Sequence, residues 1–92
     1  MNLQGMKETK GYIMQQLANL NILAQLTEDT GIRFNLANCE IILLFEETTN
    51  GIEIERTTKN EFGITLGVKL MTTFDELSTF LFNVTRLKLG GK

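Results

Sequence analysis

Apolar and polar side chains alternate through the middle of this chain, between residues 32 and 70. The clearest alternating runs are residues 32–36, 52–57 and 64–70, and a more continuously apolar run spans residues 39–47. A period of two residues is typical of a β-strand with one buried face. The pattern therefore predicts four strands, and their short connections favour antiparallel pairing.

Turn-forming residues separate these predicted strands. Residues 37–38 (Ala-Asn) fit a tight turn, and residues 59–63 fit a longer one. Residues 50–51 (Asn-Gly) give the strongest hairpin signal, because both residues tolerate a positive φ angle. An even-length turn there places Phe45 on the same face of the sheet as Ile54.

Helical periodicity flanks the strands on both sides. Apolar residues recur every three or four positions over residues 6–26 and again after Thr73, as they do in amphipathic helices. Thr73 and Glu76 fit a capping box, in which each side chain binds the backbone N–H of the other residue. The second helix is therefore predicted to begin at Thr73 and to end at Gly90.

The order of these elements predicts a single α+β domain over residues 1–92, with the order α-β-β-β-β-α. The simplest arrangement is a four-stranded antiparallel meander with two helices packed on one face. Residues 1–5 and 90–92 are expected to be flexible ends. The core face of the sheet is predicted to carry Ile32, Phe34, Leu36, Ile41, Leu43, Phe45, Ile52, Ile54, Ile64, Leu66, Val68 and Leu70.

The run at residues 39–47 is apolar on both faces, which leaves apolar surface without an obvious cover. A central strand can expose two aliphatic side chains without further meaning. However, a strand that is apolar on both faces is usually covered on both. The alternative interpretation is a contact surface for a second copy or for another protein. The predicted contact residues are Ile42, Leu44, Glu46, Glu53 and Glu55 on the outer sheet face, together with Phe82, which lies off the main stripe of the second helix.

Few residues in this chain could support catalysis or metal binding. The chain has 92 residues, no histidine and one cysteine, Cys39, which is expected to be a buried small hydrophobe. Glu46, Glu53 and Glu55 could hold a cation only if they converged, and on an open strand face they are expected to be solvated. The sequence therefore predicts no catalytic residue, no metal site and no cofactor.

Charge and hydropathy argue against nucleic acid and membranes as partners. The formal net charge is −2, so no strong field attracts polyanions. The longest apolar run, residues 41–45, is far shorter than the roughly 20 residues of a membrane-spanning helix. A polar start of the chain and a single free cysteine suit a reducing compartment, so a cytoplasmic location is expected.

Residues 86–91 (Arg-Leu-Lys-Leu-Gly-Gly) resemble the di-glycine tail of ubiquitin-like modifiers. The resemblance implies conjugation through the glycines, after removal of Lys92, and it needs residues 84–89 to form a strand. The predicted second helix instead makes Gly90 and Gly91 ordinary helix-ending residues.

The sequence predicts a small non-enzymatic protein-binding or regulatory domain that acts through protein–protein contact as a homodimer. A second hypothesis is an inhibitor encoded by a virus or mobile element, whose acidic hairpin binds a basic target surface. The remaining hypotheses are a structural subunit of a larger assembly, a ubiquitin-like modifier and an enzyme with an unusual carboxylate site. Binding that weakens with added salt would indicate the inhibitor. Assembly that grows beyond a dimer would indicate the structural subunit, and thermal stabilisation by a metal ion would indicate the enzyme.

Overall fold

A computed structural model describes residues 2–28 and 31–90 of the chain. Within these residues two helices and five strands form one α+β fold with a single antiparallel sheet, in the order β1-β2-β3-β4-β5. The sequence predicted four of these strands, so the sheet is one strand larger than expected. The elements are α1 (Met6–Asn19), β1 (Ala24–Leu26), β2 (Ile32–Leu36), β3 (Cys39–Thr48), β4 (Gly51–Asn60), β5 (Thr65–Met71) and α2 (Phe74–Gly90).

The additional strand arises because the first helix ends earlier than predicted. Asn21 adopts a left-handed conformation with φ 59°. Its N–H donates to the Ala18 carbonyl at 2.9 Å, and the Ile22 N–H donates to the Leu17 carbonyl at 3.0 Å. These two bonds form a Schellman motif, which terminates a helix. The prediction of a helix over residues 6–26 is therefore wrong at its end, where the chain instead forms β1 and pairs with β2.

Both helices pack on one face of the sheet, here called the inner face; the opposite face is called the outer face. The buried apolar residues form a single cluster between the sheet and the helices. On the inner face Phe34 and Leu43 are almost fully buried, and Phe34 contacts Phe80 of α2 with ring centroids 6.5 Å apart. The helices contribute Ile13, Leu17, Leu77, Phe80, Leu81 and Val84 to this core.

Strand β5 presents the opposite faces from those predicted. Ile64, Leu66, Val68 and Leu70 were expected in the core but are 59%, 58%, 56% and 52% exposed. For Leu66, Val68 and Leu70 the reason is a register shift between Thr58 and Lys59, where Lys59 pairs with Thr65 but Thr58 pairs with Gly67. Ile64 precedes this shift and lies before the start of β5. Leu66 is the extra residue of this β-bulge, and one extra residue moves every later side chain to the other face. Met71 consequently faces the core, opposite Ile54.

The two predicted tight turns are both present, with one adjustment. Ala37 and Asn38 have φ angles of 54° and 64° and join β2 to β3. In the β3–β4 hairpin Thr48 pairs with Gly51, so residues 49–50 form the turn and Gly51 begins β4. The prediction that Phe45 and Ile54 share one face of the sheet is confirmed, because the two residues pair directly.

The start of the chain is attached to the sheet. The Leu3 N–H donates to the Thr72 carbonyl at 2.9 Å, and the Ile52 N–H donates to the Leu3 carbonyl at 2.8 Å. Leu3 lies within the end predicted to be flexible, yet its side chain is only 5% exposed. Residues 1 and 91–92 of the predicted flexible ends, and residues 29–30 of the turn predicted to stop the first helix, lie outside the described residues.

The predicted capping box is present at the start of α2. The Glu76 N–H donates to the Thr73 hydroxyl at 3.2 Å, while the N–H groups of Thr72 and Thr73 donate to the Glu76 carboxylate at 2.9 and 3.2 Å. Residues 84–89 lie within α2. They form a helix, whereas the ubiquitin-like interpretation needs a strand there.

Replacing Glu76 with glutamine tests this cap through its pH dependence. Hydrogen bonds from the backbone of Thr72 and then of Thr73 hold the pKa of the Glu76 carboxyl below its ordinary value of 4.5. A lowered folded-state pKa stabilises the fold above the unfolded-state value, and this stability is lost as the pH falls below 4.5. We expect the E76Q variant to melt a few degrees below wild type at pH 7 in circular dichroism.

This difference should shrink in melts recorded as the pH falls below 4.5, because wild type then loses the same charge. The matched control is Glu61→Gln in the exposed loop before β5, which should melt like wild type at pH 7. An E76Q deficit that stays constant from neutral to acidic pH would contradict a charge-dependent cap.

Candidate interaction surface

The strand register brings the five predicted sheet residues together on the outer face. Leu44 pairs with Glu55, and Glu46 pairs with Glu53. Ile42 lies on the same side of β3, since residues two apart on a strand share a face. The helices pack on the inner face, so these side chains have no covering layer in the described part of the chain.

Strand β5 adds an aliphatic row that the sequence did not predict for this face. Val68 pairs with Thr57, and Leu70 pairs with Glu55, which places both on the outer face. Leu66, at the bulge, is exposed as well. The combined set, Ile42, Leu44, Leu66, Val68 and Leu70, is called the outer apolar surface below. The only sequence signal for this change of face was Gly67, since an isolated glycine in a strand can mark a bulge.

The two halves of the outer apolar surface differ in exposure. Ile42 and Leu44 are half-buried, whereas more than half of each β5 side chain is exposed. Leu44 is partly covered by the segment before β2, because a Cβ on Gly31 would lie 3.1 Å from Leu44 Cδ2. The most solvent-exposed part of the outer apolar surface is therefore on β5.

Charges are distributed unevenly around this surface. Near the β3–β4 hairpin Glu46 and Glu53 are directly opposite each other, an arrangement of like charges that costs stability. Toward β2, Arg33 forms a salt bridge with Glu40 at 3.6 Å and donates a hydrogen bond to Gln25 at 2.9 Å. The hairpin end is thus acidic, and the β1–β2 end has its cation paired.

Phe82 does not join the other predicted contact residues. It lies on α2 between the buried residues Leu81 and Val84 but is itself 60% exposed. The Arg86 guanidinium lies 5.8 Å from the centroid of its ring, within the range of a cation–π contact. Because α2 covers the inner face, Phe82 belongs to the helix layer, away from the outer face.

The free edge of β5 is the most unprotected backbone in the described sheet. The strand order leaves β1 and β5 at the two edges. β1 has 3 residues, whereas β5 has 7, with Lys69 as its one charged residue and no proline. Natural sheets shorten, charge or bend exposed edges because a long apolar edge pairs with other strands. β5 has as protection only the bulge at its start and the single charge of Lys69.

The described residues bring together neither a metal-binding cluster nor a membrane-spanning helix. Within residues 2–28 and 31–90, carboxylates and the cysteine form no group of three that could hold a metal ion. For the same residues, neither helix combines the length and hydropathy needed to cross a membrane. Cys39 is partly exposed rather than buried as predicted.

Comparisons with known proteins give no match, whether the chain is compared with protein-family models, with curated proteins or with solved structures. Function is therefore inferred from the geometry of this chain.

Proposed function

We propose that this chain is a small non-enzymatic protein-binding domain that forms a homodimer through the free edge of β5. The observation that carries the proposal is the row of exposed aliphatic side chains on an unpaired edge strand: Leu66, Val68 and Leu70. Pairing this edge would satisfy its free backbone groups and remove apolar area from water. Both gains act at the same place on the molecule.

The free edge of β5 can pair with the same edge of a second copy of the chain. Two β5 strands that pair antiparallel about a twofold axis at Val68 place Val68 beside its counterpart and Leu66 beside Leu70 of the other copy. In this register Lys69 lies opposite Gly67, so the cations of the two copies are not paired with each other. A twofold contact of this kind closes as a dimer and gives a continuous ten-stranded sheet.

Edge pairing is favoured over stacking two outer faces. Glu55 lies between Leu44 and Leu70 in the register, so stacking would bury glutamates from both copies. Burying like charges without partners is strongly unfavourable. In the edge-paired dimer Ile42, Leu44 and the glutamates stay accessible. Apolar centres with polar rims are typical of protein interfaces, so we propose this remaining area as the site for a further protein partner.

A second candidate function is an inhibitor that binds a basic protein surface through the acidic hairpin. The observation that favours it is the direct pairing of Glu46 with Glu53. A cationic partner would relieve this repulsion, which makes binding sensitive to salt. Loss of partner binding on adding salt would favour this candidate over a mainly apolar contact.

We also propose that the chain acts in the cytoplasm. Cys39 is the only cysteine and is partly exposed. In an oxidising compartment such a thiol would form disulfides between molecules.

Replacing Val68 with lysine tests the dimer. In the paired edge the two Val68 side chains are neighbours, so V68K removes two buried side chains and adds two like charges. We expect the dissociation constant to rise about a hundredfold or more, since each valine contributes about 1.5 kcal/mol or more on burial. The measurement is molar mass by light scattering over a range of concentrations, with circular dichroism to confirm folding.

Leu23→Lys is the matched control, because Leu23 is 81% exposed and lies next to the opposite edge strand β1. This variant should dimerise like wild type. An Ile42→Glu variant separates the two geometries, because edge pairing leaves Ile42 uncovered whereas face stacking buries it. A wild-type chain that stays monomeric at all concentrations would refute the proposal, and mass that grows beyond a dimer would favour a structural subunit.

A further inference from the structure

A cavity of about 210 Å³ lies between the inner face of the sheet and α2. Side chains of β3, β4 and β5 form its floor, and side chains of α2 form its roof. Much of its lining is apolar, including Ile41, Met71, Phe80 and Val84. It is on the opposite face of the sheet from the outer apolar surface.

Two cationic residues lie side by side at the floor of this cavity, Arg56 partly buried and Lys69 exposed to solvent. Arg56 and Lys69 are direct partners in the β4–β5 register, and both line the cavity. Like charges in this position repel each other. Among the described residues that line the cavity there is no aspartate or glutamate. The floor is therefore a positive site without a balancing charge from the described lining.

One hydrogen-bond donor of Arg56 has no partner in the described protein. Its Nε atom is buried and has no hydrogen-bond partner among the residues that the structure describes. A Cβ on Gly67 would lie 3.5 Å from Arg56 Nη2, so the guanidinium extends from β4 toward β5. Buried donors without an acceptor are unfavourable and rare in native proteins. The charge of Arg56 is therefore not offset at this atom by any described residue, and its guanidinium is the group on the cavity floor that an anion would pair with.

We propose that the cavity binds a small amphipathic carboxylate. The carboxylate lies against Arg56 and Lys69, since guanidinium groups pair with carboxylates through parallel hydrogen bonds. The apolar body lies against Phe80 and Val84 beneath α2. The volume is below the roughly 300–1,000 Å³ of sites for drug-sized ligands, so the ligand class is a short aliphatic or single-ring acid. Binding at this site does not require the proposed dimer, although β5 contributes Lys69 and Met71 to the cavity and its free edge to the dimer.

The test is a titration of the ¹⁵N-labelled 92-residue protein with octanoate, followed by amide chemical shifts. Octanol is the matched ligand, with the same apolar chain and no charge. We expect octanoate to shift amides around the cavity, such as those of Ile41 and Val84, and to bind at least tenfold more tightly than octanol. Hydrogen bonds to a charged group of this kind correspond to about tenfold to a hundredfold in affinity.

The variant Arg56→Gln should weaken octanoate binding by the same factor while leaving octanol binding unchanged. Arg33→Gln is its matched control, because Arg33 lies on the outer face and is paired with Glu40. It should bind octanoate like wild type. Equal affinity for octanol and octanoate, unchanged octanoate binding by R56Q, or shifts confined to the outer face would each overturn the proposal.

A second readout uses the wild-type protein, in case R56Q does not fold. Cys39 is the only cysteine of the chain and lines the cavity. Octanoate should slow its alkylation by N-ethylmaleimide at concentrations at which octanol does not. Equal alkylation rates with and without saturating octanoate would count against occupation of this cavity.

Discussion

Replacing Leu43 with alanine should lower the free energy of unfolding by about 2–5 kcal/mol. Leu43 is 0% exposed, and its neighbours across the sheet are Ile32 and Arg56. Truncation loses the transfer energy of the removed groups and leaves a space that the helices above cannot fully fill. A chain of this length has a total stability of about 5–14 kcal/mol, so L43A removes a large share of it.

The adjacent variant Leu44→Ala is the matched control, because its side chain is half-buried and points to the outer face. We expect it to cost clearly less, in urea unfolding at protein concentrations where the wild type is monomeric. If L43A and L44A lowered the free energy of unfolding equally, both faces of β3 would be covered, contrary to the one-sided packing described above. The comparison therefore tests the assignment of faces as well as the core.

The second large effect is expected at Gly51, where alanine should destabilise the protein by about 1–3 kcal/mol or more. Gly51 has φ 128°, which L-residues rarely adopt, and a Cβ there would collide with the Leu3 carbonyl oxygen. That carbonyl accepts the Ile52 N–H and holds the start of the chain against β4. G51A therefore strains the hairpin and displaces the Leu3 attachment together.

Gly11→Ala is the control for Gly51→Ala. Gly11 lies within α1 and has nothing within 4 Å of an added Cβ. Alanine is the better helix former, so G11A should stabilise the protein by about 1 kcal/mol. In thermal unfolding we expect the melting temperature to rise for G11A and to fall for G51A. A neutral G51A variant would mean that the hairpin and the Leu3 attachment tolerate a side chain there.

The features that the sequence predicted correctly have strong local causes. The alternation at residues 32–36 and 52–54 defines the inner face, since one face of each strand must leave water. The capping box at Thr73 and Glu76 is a short-range pattern whose hydrogen bonds do not depend on distant parts of the fold. The contact residues of β3 and β4 share the outer face for the same reason of alternation.

The features that the sequence missed depend on single residues with weak local signals. Asn21 ends α1, although many asparagines occur inside helices without ending them. Strand β1 forms through its pairing with β2. The alternation of β5 is regular, but its face is decided by the bulge at Leu66. Arg56 and Lys69 come together only through that register, so the cavity could not be predicted from the sequence. Phe82 is exposed as expected but lies in a different layer.

The bulge in β5 has a consequence for how this surface could change in evolution. A point substitution in a regular strand alters one side chain, but loss of this bulge at constant chain length would exchange the two faces of β5. If regular pairing continued from Lys59 and Thr65 with Leu66 retained, Val68 would lie opposite Arg56 on the inner face and Lys69 opposite Glu55 on the outer face. Among relatives of this chain, a substitution at residues 65–67 that abolishes the bulge should therefore alter the aliphatic edge and the cationic cavity together. Deletion of Leu66 should leave both in place, because Thr65 and Gly67 keep their partners on β4.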